Sequence, residues 1–106
     1  MNPETREKLE ELQTIEQNIN SMISQKQQFQ AQEIELGNAL SELKDTEEVF
    51  RIVGNIMVKS DKDKVKEDLD QKKELVTIRL KSLSNQEEKL RKKASELQEI
   101  VIKDMK

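Results

Sequence analysis

The groups in this 106-residue sequence able to do acid, base or ionic chemistry are 22 Asp and Glu and 19 Lys and Arg, with no His and no Cys. That inventory removes the imidazole base, the thiol nucleophile, the disulfide and the ligands of an ordinary zinc site. A catalytic carboxylate needs a close partner or an apolar pocket to shift its pKa toward its task. The acids here fall in stretches such as KVKEDLDQKKE and NQEEKLRKK, interleaved with bases, which read as the solvated outer faces of helices. The sequence is therefore read as neither an enzyme nor a metal or cofactor protein. What remains to it is burial of apolar side chains.

Those side chains are sparse and ordered. A chain 33% hydrophobic and 39% charged is too polar to fill a globular core, so its apolar residues must lie in narrow stripes. One stripe is Leu12, Ile15, Ile19, Met22, Lys26, Phe29, Glu33, Leu36, Leu40 and Leu43; a second is Leu69, Lys73, Val76, Leu80, Leu83, Glu87, Leu90, Ala94, Leu97 and Val101. Both advance by alternating threes and fours, the heptad step of a coiled coil. Such sustained heptads argue against disorder. Asn2-Pro3 is a good helix start, and Ser60 or Asp61 can cap a second helix, with Asp63 completing an approximate capping box. About 40 residues of helix would make an arm of roughly 60 Å. Gly37 is the weak point of the first arm.

Between the stripes lies VFRIVGNIMVK, residues 49–59, β-favouring and apolar on both sides of a Gly54-Asn55 step where a two-residue hairpin turn requires positive φ. Folding the chain back at that step brings Leu40 to Leu69, Phe29 to Leu80, Ile19 to Leu90 and Leu12 to Leu97, every pair equidistant from the turn. Each layer then sets an a position against a d, as antiparallel pairing requires. The predicted fold is mainly α: a long antiparallel two-helix coiled-coil hairpin with a small central β hairpin. Residues 1–106 are read as one domain, with a first helical arm over 1–44, the hairpin over 49–59 and a second arm over 61–105. Opposed pairs such as Ile52 with Met57 and Val53 with Ile56 put apolar side chains on both faces of the hairpin, and its edges lack partners. Strand pairing with other subunits would satisfy both, so Val49, Phe50, Ile52, Val53, Ile56, Met57 and Val58 are the expected oligomerisation residues.

The net charge of −3 creates no field that would draw the chain to nucleic acid or an anionic membrane. Lys72, Lys73, Lys92 and Lys93 are offset by neighbouring acids, and no aromatic platform for stacking bases exists. No stretch approaches the roughly 18 apolar residues of a membrane span. MNPETREKLEEL lacks the apolar core of a signal peptide, so a soluble, cytoplasmic protein is expected.

The stretch VFRIVGNIMVKSDKDKVKEDLDQKKEL resembles the hairpin and second-helix start of prefoldin β subunits. Downstream, RLKSLSNQEEKLRKKASELQ is similar to their second-helix continuation, and SQKQQ at 24–28 to part of their first helix. The resemblance covers nearly the whole chain, and the single hairpin fits the archaeal-type β class rather than the α class, which carries two. Phe50 stands where the family often has Tyr, and Gly37 interrupts a helix usually continuous. The resemblance implies a hexamer with prefoldin α subunits and other β subunits, two α and four β, whose hairpins join an oligomeric β barrel from which the arms hang. It implies an ATP-independent holdase that binds unfolded polypeptides at the arm tips and delivers them to a group II chaperonin.

In the register above, the seam runs down toward the chain ends: Lys8 faces Val101, and Thr5 faces Asp104, beyond which the helices are expected to separate. The client-binding residues are expected to be Leu9, Leu12, Leu97, Ile100, Val101, Ile102 and Met105, a flexible aliphatic surface suited to clients with no common sequence. The bland alternative is that Leu9, Ile100 and Met105 merely widen the core stripe. Charged residues there, Glu7, Lys8, Lys103 and Lys106, are weaker candidates for touching the chaperonin. The rival function is a structural coiled-coil scaffold that assembles but holds no clients.

Overall fold

The computed structural model describes residues 2–106. Helix α1 runs Pro3–Lys44, strands β1 and β2 run Val49–Val53 and Ile56–Ser60, and helix α2 runs Lys62–Met105. The fold is mainly helical, with one antiparallel two-stranded hairpin.

Local chemistry sets the boundaries. Asn2 caps α1: its side-chain oxygen accepts the Thr5 N–H at 2.8 Å, and its carbonyl accepts the Arg6 N–H at 3.1 Å. Pro3 follows at the one position where a missing N–H costs nothing. The helix continues through Gly37 without interruption. It stops where the N–H groups of Asp45 and Thr46 bond to Glu42 and Leu43, the tightened last turn of a helix end. Thr46 Oγ1 also donates to Glu42 O at 2.9 Å, and Lys62 Nζ donates to Lys44 O at 3.4 Å. At the start of α2 the cap is Asp61, whose carboxylate accepts the Asp63 N–H at 3.1 Å. Ser60 is instead the last residue of β2, its hydroxyl turned to Val58 O, so the capping box does not form.

The hairpin pairs Val49 with Ser60, Phe50 with Lys59, Arg51 with Val58, Ile52 with Met57 and Val53 with Ile56. Among the described residues Gly54 alone takes a positive φ, +62°, while Asn55 does not. Positive φ at the first central residue only is the sign pattern of a type II′ turn, in which Gly is the favoured residue.

Two compact units make up the chain. The hairpin unit is Phe29–Leu80, holding β1, β2 and the adjoining parts of both helices. Here Leu43 and Val76 are buried, with Phe29, Leu36, Leu40, Leu69 and Leu80 half-buried along the same stripes. Lys73 departs from the expected ladder by pointing to solvent, as a long charged stem can at low cost. The Arg51 guanidinium pairs with Asp68, joining β1 to α2.

The terminal unit holds the remaining segments, up to Gln28 and from Lys81 onward. Its core is Leu12, Ile15, Ile19 and Leu97, with Ile23, Leu90 and Ala94 packed against them. Leu12 with Leu97, Ile15 with Ala94 and Ile19 with Leu90 are the layers of the fold-back register. Ile23 is an addition to it, a flanking residue that broadens the seam beside Met22.

Candidate functional site

The first surface is the β hairpin. Strand alternation sends successive side chains to opposite faces, and in this sequence both faces are apolar. Ile52, Val53, Ile56 and Met57 are 74%, 63%, 67% and 66% exposed. Phe50 and Val58 are also exposed, and Val49 is half-buried. Each strand has one partner, so the far edge of each presents unpaired N–H and C=O groups. The hairpin therefore offers directional backbone bonds and burial together.

The second surface is the end of the helix pair in the terminal unit. Of its seven expected residues, Leu12, Leu97 and Val101 are buried in the seam, Leu9 is half-buried, and Ile100, Ile102 and Met105 are exposed. The seam does not separate there. Among the described residues Thr5 is the most deeply covered polar one, 2% exposed, and its hydroxyl donates to Asp104 Oδ2 at 3.2 Å. Lys8 Nζ lies 3.7 Å from the same oxygen. Layers lacking apolar pairs thus stay closed through polar contacts, and Leu12, Leu97 and Val101 are covered rather than forming an open clamp. Accessible apolar surface is confined to Ile100, Ile102, Met105 and part of Leu9.

Deeper in this unit the two charged interruptions of the ladder, Lys26 and Glu87, neutralise each other at 3.6 Å. Arg91 Nε donates to Glu87 at 3.1 Å. The Arg91 hydrogen bond foremost, with the Lys26 charge, holds the Glu87 carboxyl below the usual carboxylate range against the opposing effect of partial burial. Lys93 pairs with Glu11 at 3.0 Å on the flank. In the hairpin unit, Thr77 Oγ1 donates to Glu33 at 3.2 Å. None of these cross-seam polar contacts is visible in the heptad pattern. The contacts between the two helices join residues within one heptad step of facing positions, so complementary polar groups at near-facing positions are the signal that finds them.

Among the described residues, no group of three or more His, Cys, Asp or Glu is placed to hold a metal ion. No helix among them is long and apolar enough to cross a membrane.

An antiparallel helix pair broken by one apolar β hairpin is a restrictive arrangement, and known proteins share it together with the sequence. The profile of the prefoldin subunit family matches residues 6–106. This chain belongs to the prefoldin subunit family. The prefoldin subunit beta of Archaeoglobus fulgidus is 37% identical over 100 residues, covering 92% of this chain and 86% of that protein. That of Sulfolobus acidocaldarius is 34% identical over 102 residues, covering 93% and 82%. The crystal structure of the prefoldin beta subunit from Thermococcus strain KS-1 superposes with a TM-score of 0.87 at 32% identity, covering 94% of this chain and 90% of that one. Prefoldin subunits are chaperone subunits rather than an enzyme family, and the β-type relatives agree with the single hairpin here.

Proposed function

We propose that this chain is the β-type subunit of a cytoplasmic prefoldin, an ATP-independent holdase. In this reading it assembles with α-type and further β-type subunits as two α and four β. The complex binds unfolded polypeptides at the ends of the helix pairs and passes them to a group II chaperonin. The observation that carries the reading is the hairpin: Ile52, Val53, Ile56 and Met57 lie exposed on both faces of a two-stranded sheet with open edges. A monomer gains nothing from that surface, whereas strand pairing between subunits covers its faces and edges together. Ile100, Ile102 and Met105, exposed on a helix, supply aliphatic contacts that do not depend on client sequence.

The test has two parts. Native mass measurement of the chain mixed with an α-type subunit should give the six-chain complex. Light scattering of guanidine-denatured citrate synthase should then rise more slowly in its presence. A scaffold without client binding is the second reading, favoured by the closed seam around Leu12, Leu97 and Val101. It predicts the same mass and no effect on scattering.

A further inference from the structure

The β hairpin carries two charged side chains, and each is met from within its own chain. Directly paired residues share a face of the sheet, so Val49, Val53, Ile56 and Val58 lie with Arg51 on one face, and Phe50, Ile52 and Met57 lie with Lys59 on the other. Lys59 Nζ lies 3.8 Å from Glu48 at the foot of the hairpin, with 70% and 67% of the two side chains in water. Arg51 differs, standing mid-strand opposite Val58 and between Val49 and Val53 on its face. Its guanidinium donates to the Asp68 carboxylate in the second turn of α2. Lys64 and Lys72 lie four residues to either side of Asp68, where helix neighbours commonly pair, yet the carboxylate pairs with Arg51. Among the described residues, this is the sole side-chain hydrogen bond or ion pair between a strand and a helix. Val49 and Ser60, at the foot of the Arg51 face, are half-buried, and the other strand residues are exposed. Apolar packing therefore does little to hold the hairpin's angle against α2.

We propose that Arg51 and Asp68 form an intrasubunit tie that sets the hairpin's angle on α2 and neutralises the guanidinium, so that a neighbouring subunit's strands can cover the Arg51 face. The inference rests on the assembly role given to the hairpin above and assigns two positioning residues to it. In the free chain the tie is weak: the two side chains keep 46% and 44% of their surface in water, where an ion pair is screened. Assembly changes that balance. Covering Val53, Ile56 and Val58 removes water from around Arg51, and a guanidinium on an apolar interface is costly unless its charge is met. An acid on the partner would meet it only after the two hairpins had come together in register. Asp68 meets it beforehand, so the face reaches its partner without an unpaired charge. A hairpin held at one angle also avoids the loss of affinity that follows when only a fraction of free chains present the binding-competent arrangement.

Charge reversal tests the tie in the assembling protein. The full-length chain is titrated with an α-type subunit, and the complex is followed by native mass measurement. Asp68→Ala is expected to raise the concentration at which half of the chain is assembled by about tenfold or more, with helix content by circular dichroism unchanged. Arg51→Asp alone should be worse, because it sets two acids against each other. Arg51→Asp combined with Asp68→Arg should bring the half-assembly concentration back to within about threefold of wild type. Rescue by the swap separates a tie from two independent structural roles, which the second substitution would only worsen. An Asp68→Ala chain that assembles at the wild-type concentration overturns the tie, and so does a swap no better than Arg51→Asp alone. If the wild-type chain itself forms no complex with the α-type subunit, the assembly reading falls and takes the tie with it. If wild type assembles and the single variants match it, the tie falls alone.

Discussion

The hairpin and the end of the helix pair both expose aliphatic side chains, but the backbones beneath them differ. In β1 and β2 the outer edges leave N–H and C=O groups without partners, so whatever covers Ile52, Val53, Ile56 and Met57 must also align its own strand. Hydrogen bonds fix register and direction, and that selects a specific partner. Under Ile100, Ile102 and Met105 the backbone N–H groups are already bonded within α2, leaving the carbonyls of its last turn but no strand edge. A ligand there gains burial at about 25 cal/mol per Å² without a ladder of backbone bonds to fix its register, which tolerates any apolar sequence. One side-chain chemistry thus suits a specific role on a strand and a permissive one on a helix.

The largest break in this comparison is Val53→Asp with Ile56→Asp, which places facing charges on both members of the terminal strand pair. Loss of the multi-subunit complex is expected by native mass measurement, with helix content retained by circular dichroism; a double variant still running at full mass would show that the hairpin is not the joint. Next in size is the terminal core. Ile19→Ala removes a residue 7% exposed in the Leu12, Ile15, Ile19 and Leu97 cluster. It should cost about 2–5 kcal/mol in urea unfolding, and a loss below 1 would mean that the seam is not the source of stability.

Two smaller effects sharpen the contrast within the helices. Gly37 is helical and a Cβ there would meet nothing within 4 Å, so Gly37→Ala should stabilise the protein by about 0.5–1 kcal/mol. A destabilised Ala variant would reveal a packing role for the bare backbone. The smallest effect concerns acid. Glu87 holds its proton less tightly folded than unfolded, because Arg91 bonds its ionised form. Its contribution is therefore fully present above the ordinary glutamate pKa of about 4.3 and disappears as pH falls through the depressed folded value. Glu87→Gln should lower the urea midpoint slightly at pH 7 and narrow the gap to wild type in acid. A gap that widens in acid would contradict the sign.

The hairpin register and the layered seam were both legible in the sequence, since two periods meeting at Gly54-Asn55 leave little freedom in how the chain folds back. The observed pairs Val53 with Ile56 and Ile52 with Met57 follow from that step alone. What periodicity could not supply was the reach of long polar side chains. Lys26 bonds Glu87 across the seam while Lys73, at an equivalent ladder position, turns to solvent. The same limit governs the chain ends. Thr5 and Asp104 face each other as the register requires, but a polar pair in a heptad reads as the end of a seam. Only the geometry of the hydroxyl and carboxylate shows that it is a closure. Ile23 escaped the pattern for a different reason: it lies at a flanking position, off the a and d stripe, and still packs against the terminal core.

The central claim is that the strand surface assembles and the helix surface holds. It is tested most directly by measuring aggregation suppression by complexes containing Ile100→Ser and Ile102→Ser, at native mass equal to wild type. The account predicts unchanged assembly with the concentration for half-suppression raised severalfold. Undiminished suppression by a fully assembled double variant would contradict it.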